Sequence, residues 1–294
     1  MTRLLRFSRG TFPMLLGLLL AMPPIAGAAE TVRIETDVAY LGPKRQEKGD
    51  LYLPAVQTKR ERFPAVVIIH GGGWSGGDKG SAREINIGTT LAGHGYVAFS
   101  INYVLAAKNR PVWPQNLYDC KTAVRWLRKN ADRLHIDAQH IGVIGGSAGG
   151  HLAAMLAVTD AKAGLDPPAP YGDYSCRVQA AVDLYGPIDL TTFHLDMLPG
   201  TREKNPEIYR LASAGTYAAK DEPPILIVHG TADKVVPLEQ SQRFAEILKK
   251  VGAPHEFIVV EGAPHSFDLQ PKQRDLRPAV LGFFDRYLKI STIR

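Results

Sequence analysis

Four short segments of the chain carry groups that together suit acyl transfer. The first, at residues 145–149, is Gly-Gly-Ser-Ala-Gly, with β-branched residues before it and the alanine-rich stretch 148–158 after it. A strand, a tight turn and a helix in this order form a nucleophile elbow, which exposes Ser147 at the helix N-terminus. Gly145 and Gly149 leave room for such a strained turn. A glycine-rich turn with a surface serine is the alternative interpretation.

The second segment is His-Gly-Gly-Gly-Trp at residues 70–74, directly after the buried apolar run 63–69. A tetrahedral intermediate needs two or more hydrogen-bond donors aimed at one oxygen. Without a Cβ, Gly72 and Gly73 can bring their N–H groups close, and the free N–H of Ala148 can face the same oxygen. The segment lacks the lysine and hydroxyl of a phosphate-binding loop, so nucleotide binding is not expected.

A serine nucleophile also needs a base, and the chain contains nine histidines. His265 lies in Gly-Ala-Pro-His-Ser-Phe, the loop after the last predicted strand, from which an imidazole can return over the serine. Five others precede strands, end strands beside other motif residues, or lie in the helix after the elbow: His70, His140, His151, His229 and His255. We therefore expect His265 to be the base, with an ordinary surface histidine as the alternative.

The base in turn needs an acid to orient it. Asp233 closes the segment His-Gly-Thr-Ala-Asp, four residues past a buried strand, and Asp189 has a similar position after the preceding strand. We favour Asp233, because Gly230 permits the turn and Pro237 stiffens the exit, while Asp189 is also suited to cap a helix. Serine, aspartate and histidine would then follow the chain order typical of α/β-hydrolases.

The elements that must position these groups alternate along the chain. Thr31–Tyr40 and Lys48–Pro54 are predicted to open the fold as an antiparallel pair. Buried strands are predicted at 65–70, 96–103, 141–145, 178–185, 225–229 and 256–260, and helices near 81–93, 115–130, 148–158, 238–251 and 274–289. This alternation predicts an α/β fold with a mostly parallel, eight-stranded sheet, helices on both faces and the site at the carboxyl ends of the strands.

Two stretches interrupt this alternation, residues 161–176 and 191–217. We expect both to skirt the catalytic edge as binding loops or a small cap, with a solvated connector as the alternative for the first. Two cysteines, Cys120 and Cys176, lack the spacing of a zinc site. A disulfide between them and two buried free thiols both remain open.

Residues 1–29 resemble a secretory signal peptide, with a basic start, an apolar stretch and a small-residue cleavage pattern. We therefore expect a secreted or periplasmic protein with one domain at residues 30–294. Cleavage would remove three arginines and no acids, so the formal net charge would fall from +6 to +3. The chain has no dense basic patch with interleaved aromatics, so nucleic acid is not an expected partner, and neither is stable membrane association.

The four motifs together, with Gly-Gly-Asp-Lys at residues 76–79, resemble the hormone-sensitive-lipase-like branch of the α/β-hydrolases. The chain is most similar to bacterial feruloyl and acetyl xylan esterase-like proteins, and the resemblance runs from about residue 45 to 288. It implies that Ser147 is the nucleophile, His265 the base and then the acid, and Asp233 its orienting group. It also implies an oxyanion hole made by the N–H groups of Gly72, Gly73 and Ala148.

These features predict a serine carboxylesterase for short-acyl or polysaccharide-linked esters, without a metal or organic cofactor. Trp74 is a candidate substrate contact, or else packs within its loop. Three alternatives remain: a prolyl-oligopeptidase-like peptidase, an arylformamidase-like amidase, and a non-catalytic binding protein with a hydrolase fold. The oligomeric state does not follow from the sequence.

Overall fold

The computed structural model describes residues 32–55, 62–193 and 195–289. Within them lie eight strands: β1 (Arg33–Val38), β2 (Gly49–Leu53), β3 (Phe63–Ile69), β4 (Val97–Ile101), β5 (Ile136–Gly146), β6 (Ala180–Leu184), β7 (Ile225–Gly230) and β8 (His255–Val260). The helices are α1 (Ala82–Gly93), α2 (Gln115–Lys129), α3 (Ala131–Leu134), α4 (Ala148–Val158), α5 (Pro206–Leu211), α6 (Glu239–Val251) and α7 (Arg277–Leu288). The predicted signal peptide at residues 1–29 lies outside the described residues.

All eight strands form one sheet in the order β1-β2-β4-β3-β5-β6-β7-β8. β2 pairs antiparallel with both β1 and β4, and every other neighbouring pair is parallel. The predicted antiparallel opening pair and the mostly parallel eight-stranded sheet are thus confirmed. Because β3, β5, β6, β7 and β8 run in the same direction, the loops after them emerge at one edge of the sheet.

Helices cover both faces of the sheet, as the continuous apolar strands predict. One face packs against α2, α4 and α6, with a core that includes Val67, Val143, Leu152 and Phe244. The other face packs against α1 and α7 around Ile68, Ile144, Leu226 and Phe284. Successive residues of a strand therefore pack into opposite cores. Because both faces are covered, the strands are held in place, and so are the strand ends that carry the site.

The expectation that residues 161–176 skirt the catalytic edge is wrong. α4 starts at the carboxyl end of β5 and returns along the sheet, so the segment after it joins β6 at the opposite, amino edge. Arg128 secures this segment there, donating to the carbonyl of Ser175 and to that of Ala138 at the start of β5. The alternative interpretation as a connector is the one that the structure supports.

Residues 191–217, in contrast, lie at the carboxyl edge. This segment contains α5 and short 3₁₀ turns, and the carbonyl of Met197 accepts hydrogen bonds from the N–H groups of Val112 and Trp113. The carbonyl of Ala212 reaches the imidazole of His151 in the first turn of α4. The segment is thus positioned to border the site.

The two cysteines are free thiols in the structure, and both are buried. Burial raises the pKa of Cys120 well above its ordinary value and that of Cys176 to about 11. Neither thiol is therefore a nucleophile at neutral pH.

Candidate active site

Ser147 occupies the turn between β5 and α4. Its backbone dihedral angles, φ 57° and ψ −121°, fall in a region that costs a non-glycine residue on the order of 1–3 kcal/mol. The Ser147 N–H donates to the carbonyl of Leu184 at 2.9 Å and so holds the turn against β6. A Cβ on Gly149 would lie 2.1 Å from the carbonyl oxygen of Ile69, so only glycine fits there. The turn therefore projects the Ser147 hydroxyl at the carboxyl edge.

His265 lies in the loop between β8 and α7. Its Nε2 is 2.9 Å from Oγ of Ser147, although the residues are 118 positions apart. The ring of Tyr185 packs edge-on against the imidazole, with the ring centroids 4.9 Å apart. The base predicted from the loop position is therefore brought within hydrogen-bond reach of the predicted nucleophile.

Asp233 follows β7, and its Oδ2 lies 2.6 Å from Nδ1 of His265. Its Oδ1 accepts hydrogen bonds from the backbone N–H groups of Val235 and Val236, at 2.8 and 2.9 Å. Burial acts to raise the pKa of Asp233, but the hydrogen bonds from His265 and from these two N–H groups outweigh it and hold the pKa below its ordinary value. An ionised carboxylate can only accept, so the imidazole proton resides on Nδ1 and the lone pair of Nε2 faces the serine.

Asp189, the alternative acid, points elsewhere. Its Oδ1 accepts the N–H and the hydroxyl of Thr191, and so caps the 3₁₀ turn at residues 190–192. Its Oδ2 is paired with Nη1 of Arg243 at 2.5 Å. Of the two candidates, only Asp233 contacts His265 in the structure.

A second histidine contacts the same carboxylate. Nε2 of His229 lies 3.2 Å from Oδ2 of Asp233 and 3.0 Å from the carbonyl oxygen of Val236. Both neighbours are acceptors, so Nε2 carries the ring proton. Nδ1 accepts a hydrogen bond from the hydroxyl of Ser241, at 2.7 Å from its Oγ. Burial lowers the pKa of His229 and favours the neutral ring. Sequence reasoning set this residue aside because it ends a strand.

The glycine loop after β3 lies beside the elbow. Gly72 and Gly73 have φ values of +112° and +59°, and the N–H of Gly76 closes the loop on the carbonyl of Gly72 at 2.9 Å. Gly72 and Ser147 line one cavity of about 260 Å³. Ala148 is the first residue of α4, where a backbone N–H has no partner within the helix. Gly72 thus lies in the serine's cavity and Ala148 follows the serine at the start of α4, while Gly73 is not among the residues that line this cavity.

Trp74 is buried, with 4% of its surface exposed. Its indole N–H donates to Nδ1 of His151 at 3.2 Å, and the two rings meet edge to face. The Nε2–H of His151 is directed at the carbonyl of Ala212 at 2.7 Å, and burial lowers the pKa of this histidine to about 4, so the ring stays neutral. The burial of Trp74 favours loop packing over the substrate contact that the sequence also allowed.

The cavity beside Ser147 contains charged residues that sequence reasoning missed. Its lining includes Ser81, Arg83, Glu84 and Ser266, together with the glycine loop. Arg83 hydrogen-bonds Tyr185 across 102 positions in the chain. The only sequence signal for Arg83 and Glu84 is that they form an Arg-Glu dipeptide at the start of a half-apolar helix. Such a dipeptide by itself indicates a solvated helix end.

Comparison with known proteins identifies the group to which this arrangement belongs. Residues 50–248, well over half of the chain, match the family model described as BD-FAE. The chain belongs to the BD-FAE family. The matched range includes Ser147 and Asp233 and ends before His265, which the fold then brings to the serine.

Several named relatives of this BD-FAE family member are esterases. The chain is 30% identical to Esterase LipC of Mycobacterium tuberculosis over 84% of its own length and 64% of LipC. It is also 30% identical to Esterase LipQ of the same organism, over 85% of this chain and 62% of LipQ. The chain thus spans less than two thirds of the length of these relatives.

Solved structures give the same fold. A truncated carbohydrate esterase from gut microbiota superposes with a TM-score of 0.78 at 27% identity, covering 88% of this chain and 98% of that one. The butyrate-bound esterase Est2 of Thermogutta terrifontis has a TM-score of 0.70 at 30% identity, covering 87% and 91%. These matches confirm that the BD-FAE family member is an α/β-hydrolase of the hormone-sensitive-lipase-like branch, as its four motifs indicate.

Two further features are absent from the described ranges. No helix there has both the length and the apolar character needed to cross a membrane. No group of three or more His, Cys, Asp or Glu side chains in the same ranges is arranged to bind a metal ion.

Proposed function

We propose that this BD-FAE family member is a serine carboxylesterase that hydrolyses short-acyl or carbohydrate-linked esters through an acyl-enzyme. The observation that carries the proposal is the unbroken relay from Asp233 through His265 to Ser147, with hydrogen bonds of 2.6 and 2.9 Å. This relay supports the roles of Ser147 as nucleophile, His265 as base and Asp233 as the orienting acid. The names of the matching esterases support the same reaction class.

The geometry suits a two-step reaction. Oγ of Ser147 attacks the ester carbonyl carbon while Nε2 of His265 takes its proton, and Asp233 stabilises the resulting imidazolium. N–H groups of Gly72, Gly73 and Ala148 are proposed to bind the oxyanion. The intermediate collapses as His265 returns the proton to the departing alcohol. Water, deprotonated by the same Nε2, then cleaves the acyl-enzyme.

A serine mechanism is also supported by matching structures of an esterase modified by organophosphorus compounds. Thermogutta terrifontis esterase 2 matches with a TM-score of 0.68 in its tabun-modified form. Organophosphorus compounds react with activated hydroxyl nucleophiles, so we propose that Ser147 reacts in the same way. The carbohydrate-linked substrate class is supported by two matching carbohydrate esterase structures and by the polar lining of the cavity beside Ser147.

Export is a separate part of the proposal and rests on the residue pattern of positions 1–29 alone. Fractionation of the native host followed by N-terminal sequencing tests it. A mature N-terminus near residue 29 in the periplasm or medium is expected, and a full-length cytoplasmic protein would contradict it.

The decisive experiment compares hydrolysis of p-nitrophenyl acetate, butyrate and octanoate by the protein and by its Ser147→Ala variant. We expect turnover that declines with chain length and is lost in the variant, and one equivalent of paraoxon should phosphorylate only the protein that retains Ser147. Serine-independent turnover would contradict the nucleophile assignment. Cleavage of an aryl formamide or a proline peptide in preference to every ester would favour the amidase or peptidase alternative.

A further inference from the structure

The guanidinium of Arg83 lies in the same cavity as the nucleophile. A Cβ on Gly146 would lie 2.6 Å from Nη1 of Arg83, and a Cβ on Gly71 would lie 3.2 Å from both Nη2 of Arg83 and Cβ of Ser147. A single carbon atom would thus touch both the guanidinium and the serine. Arg83 occupies this place because neither Gly71 nor Gly146 has a side chain.

Two partners hold the guanidinium rigidly. Oε1 of Glu84, which is 1% exposed, accepts from Nε and Nη2 of Arg83 at 2.8 and 2.5 Å. The hydroxyl of Tyr185 accepts from Nη1 at 3.0 Å and donates to the carbonyl of Phe267 at 2.5 Å. An arginine fixed on two sides is pre-organised to receive a ligand, since little rotamer entropy remains to be lost.

Part of the donor capacity of Arg83 is unused. A guanidinium has five N–H groups, and the contacts to Glu84 and Tyr185 use three of them. The remaining two, one on Nη1 and one on Nη2, make no hydrogen bond to any described residue. Arg83 lines the same cavity as Ser147, Ser81 and Ser266, so its guanidinium forms part of a polar wall near the serine.

We infer that Arg83 is a substrate-contact residue that donates its two remaining N–H groups to oxygen atoms on the alcohol part of the ester. The inference rests on the proposed function and narrows it to esters of uncharged, polyhydroxylated alcohols such as sugars. A short acyl group carries no oxygen besides the carbonyl that faces the oxyanion donors. The oxygens that Arg83 binds must therefore come from the alcohol.

Charge favours an uncharged alcohol over an acidic one. Arg83 and Glu84 neutralise each other, and burial lowers the pKa of His70, the remaining titratable group of this cavity. A carboxylate on the substrate would place a second negative charge close to Glu84 in a partly desolvated site. A hydroxyl or ring oxygen receives the charge-assisted hydrogen bond without that repulsion.

The test compares two acetate esters on six-membered rings, methyl 2-O-acetyl-xyloside and cyclohexyl acetate. Both give the same acetyl-enzyme and differ in the oxygens of the alcohol. The natural chain should have the higher kcat/KM for the sugar ester. In Arg83→Met the ratio of the two kcat/KM values should fall about tenfold or more, the usual effect of losing charged hydrogen bonds. Arg277→Met, which removes an exposed arginine paired with Asp275, should leave the ratio as it was.

Arg83→Met also leaves Glu84 buried without its partner, so the double variant Arg83→Met/Glu84→Gln is measured in parallel, with folding checked by thermal unfolding. The Tyr185→Phe variant distinguishes a substrate contact by Arg83 from support of the His265 loop. It removes the hydrogen bond from Tyr185 to the carbonyl of Phe267, and Arg83 stays paired with Glu84. It should slow both esters alike and preserve the preference for the sugar.

Equal losses on both esters in folded Arg83 variants, or no preference in the natural chain, would overturn the inference. So would faster cleavage of a third ester, methyl 2-O-acetyl-glucuronoside, whose alcohol carries a carboxylate, than of methyl 2-O-acetyl-xyloside. The proposed function fails differently, through the absence of any hydrolysis that depends on Ser147.

Discussion

Asp233 lies 2.6 Å from Nδ1 of His265, although 32 residues separate them in the chain. The contact joins the loops after β7 and β8, which are neighbouring parallel strands. Parallel pairing brings the carboxyl ends of these strands side by side, so two loops that start at the same edge can place an acid against a base.

Replacing Asp233 with Asn should reduce kcat by about 10³–10⁴-fold while the fold is retained. An amide can present an N–H to His265, which favours the tautomer with its proton on Nε2 and removes the lone pair that faces Ser147. Esterase kinetics and thermal unfolding test this. Asp189→Asn is the matched control, because Asp189 contacts Thr191 and Arg243 instead. A larger loss in the control would reverse the assignment of the acid.

His229→Leu should lower kcat by about tenfold with little change in KM. The substitution removes an N–H donor to Asp233, which then has more freedom to move away from His265. Ser241→Ala should lower kcat by a smaller factor. It removes the hydroxyl that donates to Nδ1 of His229 but leaves the Nε2–H contact with Asp233 in place. Steady-state kinetics on both variants decide the point. A folded His229→Leu variant with the natural kcat would show that this contact does not position Asp233.

Gly149→Ala should destabilise the fold by about 2 kcal/mol or more. The added Cβ would lie 2.1 Å from the carbonyl oxygen of Ile69 and 2.7 Å from that of His70, and backbone atoms cannot move aside cheaply. Gly282→Ala, within α7, meets nothing within 4 Å and should instead stabilise by about 0.5–1 kcal/mol. Urea unfolding of the two variants measures the contrast, and equal changes in stability would refute it.

The free energy of unfolding of Asp183→Asn, relative to that of the natural chain, should increase as the pH rises. Burial raises the pKa of Asp183 to about 7, against the partial effect of the Gly186 N–H bond. From about pH 4, the ordinary aspartate pKa, up to pH 7 the carboxyl is ionised only in the unfolded chain. Each increase in pH therefore favours unfolding, and the effect levels off above pH 7.

Urea unfolding at pH 4.5 and pH 8 tests this. The stability of Asp183→Asn relative to the natural chain should improve by about 3 kcal/mol between the two pH values. The amide can keep the hydrogen bond from Gly186, which isolates the titration from the packing. A difference that is the same at both pH values would mean that the folded protein holds Asp183 ionised.

Local sequence patterns determined much of the fold and the order of the site. Apolar runs and their spacing predicted the parallel sheet and most of its helices, because hydrophobic periodicity is set within about ten residues. The glycines around Ser147 predicted the strained turn for the same reason. The prediction failed at residues 161–176, where the return direction of α4, and not composition, sets the edge of the sheet at which the loop lies.

Contacts between distant segments were decided only by the tertiary structure. Asp189 and Asp233 have similar positions after their strands, and packing turns the first toward Arg243 and the second toward His265. Trp74 is buried against His151, and Arg83 meets Tyr185 across 102 positions. A local pattern reports the strain and burial of a few neighbouring residues, whereas these contacts depend on how the whole sheet and its helices pack.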